Sequence, residues 1–143
     1  MSTITGTYFD NYLYGGAGDD YIQGLGGDDY LFGSAGNDTL VGSDPWVWDS
    51  GAGEYDTLSG GAGADTFILG DSYEAYYQGF GFATITDFNW LEGDQIQVFG
   101  SINDYTLYYD DYANTVDILY QGDLIGFVEN TSNVIPSWDF IFV

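Results

Sequence analysis

An apolar residue recurs at every ninth position, with one interruption: Leu13, Ile22, Leu31, Leu40, Asp49, Leu58 and Phe67. Counted from Gly6, the chain divides without a gap into seven blocks of nine, each opening on glycine. Typical blocks read GGAGDDYIQ, GLGGDDYLF and GSAGNDTLV. The Gly-rich first half calls for positive φ and close backbone approach, so it predicts a tight turn. The last three places set one apolar residue between strand formers and predict a short strand with the eighth place inward. Two blocks then make one right-handed coil of 18 residues, with strands on two opposed sheets. Coils stack at the ~4.8 Å strand spacing. The predicted fold class is all-β: a right-handed parallel β-roll over residues 6–70, capped by residues 71–143.

The sixth place carries Asn11, Asp20, Asp29, Asp38, Val47, Asp56 and Asp65. Stacking brings blocks n and n+2 together, so these side chains fall into two ladders. One is predicted to run Asp20, Asp38, Asp56, with sites at Asp20/Asp38 and Asp38/Asp56. The other is predicted to run Asn11, Asp29, Val47, Asp65. There Asn11/Asp29 carries less charge and Val47 removes a ligand. Pro45-Trp46-Val47-Trp48 is expected to start its strand one residue early, with Val47 inward and Asp49 outside the strand. Fifth-place Asp19 and Asp28 complete the candidate ligands in the repeats.

Seventh and ninth places point outward. On the second ladder's side they are Tyr12, Tyr14, Tyr30, Phe32, Trp48, Ser50, Thr66 and Ile68, an aromatic stripe on one sheet. On the other side they are Tyr21, Gln23, Thr39, Val41, Thr57 and Ser59. Such a stripe marks an interface, either with a partner or with the C-terminal half of the same chain.

Beyond Gly70 the nine-residue period stops. A loop, 72–81, leads to strand-like runs at 82–88, 95–99, 105–109, 115–120, 124–129 and 138–142, separated by Gly, Asp and Asn turn signals. No helical periodicity of useful length is present. This segment predicts an antiparallel meander that covers the open end of the roll.

Charge sharpens the picture. The 143 residues include 23 acidic side chains and no Lys, Arg or His. Two carboxylates ~5 Å apart at an effective dielectric of ~20 repel by about 3 kcal/mol, so a fold that gathers them needs an external cation. Nucleic acid and anionic membranes are excluded as electrostatic partners, because both need basic side chains. There is no Cys, hence no disulfide and no thiolate site. Without His or Cys, zinc and copper are not expected. All-oxygen ligation by Asp, carbonyls and water suits Ca²⁺. Met1–Tyr14 has neither a basic n-region nor an apolar h-region, so no cleaved signal peptide is expected. No apolar run is long enough to span a bilayer.

The blocks follow the consensus G-G-x-G-x-D-x-U-x and resemble the RTX (repeats-in-toxin) calcium-binding family. Ile85-Thr86-Asp87-Phe88 followed by Glu92-Gly93-Asp94-Gln95-Ile96 is similar to the segment that often follows such repeats. The resemblance implies a further Ca²⁺ at Asp87 and Asp94, against turn capping by Asp as the plainer reading. The ending Asp139-Phe140-Ile141-Phe142-Val143 is similar to the uncleaved C-terminal signal of type I secretion substrates. It reads equally as a last core strand. The resemblance implies an extracellular protein whose acidic repeats stay unfolded where calcium is scarce. Millimolar calcium would then fold it, binding free energy becoming folding free energy.

No enzyme is expected. There is no His for a Ser or zinc mechanism, and no Lys for a Schiff base. Glu54, Glu74, Glu92 and Glu129 show no spacing that marks a glycosidase pair. Ice binding is disfavoured, since outward Thr residues are few. Two readings remain. One is a structural subunit of an extracellular fibre, sheath or surface layer, self-associating through the aromatic face or the roll ends. The other is a monomeric calcium-dependent module for a glycan.

Overall fold

The computed structural model describes residues 1–48 and 50–143. Asp49, expected outside a strand, lies outside the described residues. Among the described residues thirteen strands form two sheets. The first sheet holds β1 (Thr3–Thr5), β3 (Tyr21–Leu25), β5 (Thr39–Ser43), β7 (Thr66–Ile68), β9 (Gln95–Val98) and β13 (Phe140–Phe142), in that order. All of its pairs are parallel. In spatial order the second sheet holds β2 (Tyr12–Ala17), β4 (Tyr30–Ala35), β6 (Glu54–Ala62), β8 (Gly81–Ile85), β12 (Asp123–Val128), β11 (Thr115–Tyr120) and β10 (Tyr105–Asp110). Its pairs are parallel from β2 through β12. Among the described residues no helix is long and apolar enough to cross a membrane.

Eighth-place residues stack in register between the sheets. One column runs Ile4, Ile22, Leu40, Phe67, Ile96, Phe140. The other runs Leu13, Leu31, Leu58, Ile85, Val128, Val116. Their middle members are fully buried, each contributing about 1.5–3 kcal/mol by leaving water. Ile4 stands nine residues before Leu13. The incomplete block before Gly6 therefore already supplies a strand, β1, which the sequence reading did not include.

The fifth block departs from expectation. Leu31 pairs with Leu58, 27 residues on, and Leu40 pairs with Phe67. Between β5 and β6 the chain leaves the roll as an inserted loop, of which residues 44–48 and 50–52 are described. Val47 is 46% exposed in this loop, rather than inward in a strand. The physical reason lies in Pro45. In the regular turns the fourth place is Gly18, Gly27, Gly36 or Gly63, all at positive φ. Gly18 and Gly36 also donate their N–H to the carbonyls of Ala35 and Ala62 in the next coil. Proline can adopt neither positive φ nor the donor role, and Val47 brings no carboxylate. Gly42 and Ser43 still close the stack, and Glu54-Tyr55-Asp56 resume it. The inserted loop equals one period, so the count of nine never slips.

The outer faces change accordingly. Tyr12 stacks on Tyr30 (4.7 Å between centroids) and Tyr14 on Phe32 (4.9 Å). The column then continues into Thr57 and Ser59, not Trp48 and Ser50. Thr66 and Ile68 lie on the first sheet. The C-terminal half leaves this stripe open, with Tyr12 and Tyr14 more than 60% exposed.

Past Gly70 the winding goes on. β8 adds to β6 and β9 to β7, and β12 and β13 extend the two sheets in parallel. The antiparallel part is β10–β11–β12. The last strand begins at Phe140 instead of Trp138, because Pro136 opens a single helical turn, α1 (Pro136–Asp139). Asp139 closes that turn by accepting the Ile135 N–H.

Candidate metal centres

The loop insertion reassigns the ladders. Asp20 N–H donates to Asp38 Oδ1 (2.7 Å), Asp38 N–H to Asp65 Oδ1 (2.8 Å) and Asp65 N–H to Asp94 Oδ1 (2.9 Å). On the opposite side Asn11 N–H donates to Asp29 Oδ1 and Asp29 N–H to Asp56 Oδ1, both at 2.8 Å. The expected Asp38/Asp56 pair does not form. Asp56 follows Asp29, and Asp65 follows Asp38. The side expected to be broken by Val47 is continuous, because Val47 never enters the stack.

Each carboxylate therefore spends Oδ1 on the backbone of the preceding coil. Its second oxygen is directed into the turn. Oδ2 of Asp20, Asp29, Asp38 and Asp65 is buried and has no hydrogen-bond donor. First-place glycines make room for it. A Cβ at Gly24 would collide with Asp29 Oδ2 and the Gly42 carbonyl, and one at Gly33 with Asp38 Oδ2 and the Gly60 carbonyl. Carboxylate and carbonyl oxygens of neighbouring coils thus converge on one space, and no cationic side chain exists to fill it. Burial, helped by the charges of Asp56, Glu54 and Asp10, pushes the Asp29 carboxyl up to about 7. Burial likewise raises Asp65 and Asp56 to about 6 and moves Asp38 and Asp94 upward.

The ladders end on protein donors. Asn11 Oδ1 accepts the Thr7 N–H. Asp94 Oδ2 accepts the Asn89 N–H at 2.8 Å. Asp56 Oδ2 accepts the Tyr77 O–H at 2.6 Å. Burial holds that phenol well above its ordinary pKa, hence protonated.

The exposed fifth-place residues have another task. Asp19 Oδ1 accepts the Asn37 N–H and Asp28 Oδ1 the Tyr55 N–H, each tying a coil to the next. Asp87 caps a turn with both oxygens, taking the N–H groups of Gly60 and Gly61 and the Ser59 hydroxyl. Two participants escaped the sequence reading. Glu54 reaches back to the Gly27 N–H, with Oε2 buried and without a donor. Its carboxyl rises to about 7 through burial and the Asp56 charge. Tyr77 comes from the loop after the repeats, where no period announced it.

The donor set fits a hard cation. It offers unpartnered carboxylate oxygens, turn carbonyls and no nitrogen or sulfur. Among the described residues no group of three or more acidic side chains is gathered around one point, so carbonyls and water must complete any coordination shell.

Residues 5–40 and 50–72 match the RTX calcium-binding nonapeptide repeat, in four copies. The gap between the matched segments spans the start of the inserted loop. Two solution structures from the mannuronan C5-epimerase of Azotobacter vinelandii share the fold. The AlgE6R3 subunit is 26% identical, with a TM-score of 0.64 over 95% of this chain and 80% of that one. The AlgE6R2 subunit is 24% identical, with the same TM-score over 97% and 91%. No curated protein sequence matches the chain.

Proposed function

We propose, from the RTX calcium-binding repeats matched over residues 5–40 and 50–72, that calcium folds this protein outside the cell into a non-catalytic structural subunit of a fibre, sheath or surface layer. Four buried sixth-place carboxylate oxygens without donors carry the calcium part of this reading. We assign the ions to the free Oδ2 oxygens of Asp20, Asp29, Asp38 and Asp65, where bound Ca²⁺ supplies the charge the chain lacks. Asn11, Asp19, Asp28 and Asp87 act as turn caps.

The open end of the roll supports assembly. β1 and β2 are edge strands with a neighbour on one side only. The stacked rings of Tyr12, Tyr14, Tyr30 and Phe32 lie beside that end. Head-to-tail contacts through such an end give filaments when they do not close. Secretion by a type I route is part of this proposal.

Negative-stain microscopy and circular dichroism, in a few millimolar calcium and then in excess chelator, test this. β-structure and filaments should both require calcium. Calcium-dependent folding with only monomeric particles would reject the subunit role.

A second reading, a glycan-binding module, is favoured by one feature. The inserted loop and the segment after Gly70 border a groove of about 360 Å³, lined by Pro45, Trp46, Trp48 and Tyr73 with Asp71 and Glu74. Its rings are exposed, and aromatic faces beside carboxylates suit sugar C–H and hydroxyl groups. Quenching of Trp fluorescence by a soluble oligosaccharide, lost in Trp46→Ala/Trp48→Ala, would favour it.

A further inference from the structure

Five sixth-place aspartates of the roll are buried, and they are not equivalent. Asp20, Asp29, Asp38 and Asp65 each leave Oδ2 without a donor, whereas Asp56 Oδ2 receives the Tyr77 hydroxyl. The surroundings show what the phenol replaces. At Gly15, Gly24 and Gly33 the first-place gap is bounded by a carboxylate oxygen and by a carbonyl of the following coil, from Gly33, Gly42 and Gly60. At Gly42 it is bounded by Asp56 Oδ2 and the Tyr77 phenol oxygen. The next strand on this side, β8, places Ala83 opposite Asp56 and brings no carboxylate.

Tyr77 is held there against its own preference. Its φ is +63°, a left-handed conformation unusual for an aromatic residue. The side chain is fully buried, its ring crowds Gly51, and its N–H donates to the Ser50 carbonyl at 2.7 Å. Such strain persists only where the surroundings over-determine it. The inserted loop supplies Ser50 and Gly51, so the loop and Tyr77 form one device.

We infer that Tyr77 is a built-in stand-in for a cation: its O–H does at Asp56 what calcium does at the four unpartnered sixth-place aspartates, and it ends that ladder without metal. The inference rests on the calcium reading of those four sites. It marks one place where the family's ligand pattern and the chemistry around it disagree. The aspartate is present, but its free oxygen is already satisfied.

A double-mutant cycle over Tyr77→Phe and Asp56→Asn tests this, with unfolding by urea followed in a few millimolar calcium. Tyr77→Phe should lower the folding equilibrium constant about tenfold or more when Asp56 is present, because a buried carboxylate loses its donor. In the Asp56→Asn background the same change should have little effect. Equal losses in both backgrounds would mean that Tyr77 only fills space, and would overturn the inference. Native mass spectrometry of Asp38→Asn separates the two claims. An unchanged ion count would overturn the calcium assignment, and with it the comparison on which Tyr77 rests. A reduced count with equal losses in the cycle would overturn the role of Tyr77 alone.

Discussion

Tyr30 lies opposite Thr57 in adjacent parallel strands, although the nine-residue count places Trp48 opposite it. Neighbouring strands stand ~4.8 Å apart, within the Cα range a disulfide bridges. The chain has no native Cys, so the register can be read chemically. Tyr30→Cys/Thr57→Cys should form an intramolecular disulfide in calcium under mild oxidant. Tyr30→Cys/Trp48→Cys should not. Non-reducing electrophoresis after a protease cut between the sites distinguishes the two.

Acid should substitute for calcium. Asp29, Asp56 and Asp65 titrate near 4 when unfolded and rise to about 7, 6 and 6 in the metal-free fold, chiefly through burial. A folded pKa above the unfolded one contributes stability that is complete below the unfolded value and lost as pH rises through the folded value. In chelator the β-spectrum should therefore strengthen from pH 7 down to about pH 4. In calcium it should persist at pH 7, since metal competes with protons for the same oxygens. A chelated protein equally folded at both pH values would contradict the ladder.

Asp38 and Asp19 differ in role although both are repeat aspartates. Asp38 is buried with a free Oδ2, while Asp19 is exposed and caps one N–H. Asp38→Asn should raise the calcium midpoint of folding about tenfold or more, as expected when a charged ligand is lost. Asp19→Asn should change stability by no more than about 1 kcal/mol. Calcium titrations followed by circular dichroism give both numbers.

The turn glycines answer to backbone geometry. Gly36 has φ +129° and lies against the Gly18 backbone. Gly53 has φ +80° with nothing within 4 Å of a would-be Cβ. Gly36→Ala should lower the melting temperature well beyond the shift for Gly53→Ala. The latter meets only the left-handed penalty of roughly 1–2 kcal/mol.

Much of this architecture could be read from the chain. Every eighth-place apolar residue from Leu13 to Phe67 lies on the inner column, and the strand limits at 115–120 agree with β11. The calcium chemistry followed from the absence of any basic side chain. The ladder partners beyond Asp38 did not follow. A period locates residues within a turn but cannot tell a turn from a loop of equal length. Only Pro45, at a place that four other blocks fill with a glycine at positive φ, signalled that the fifth block would leave the stack. Tyr77 was illegible for a different reason. Its contact with Asp56 spans 21 residues and belongs to no repeat.

The inserted loop gives the roll a property that a plain repeat array lacks. Strands on both sides of this loop are already paired, β5 with β3 and β7, β6 with β4 and β8. The scaffold therefore tolerates a whole extra segment at this point while its metal-bearing turns stay in step. That makes the position a display port, from which two tryptophans are held out to the surroundings by a body that does not have to change shape to carry them.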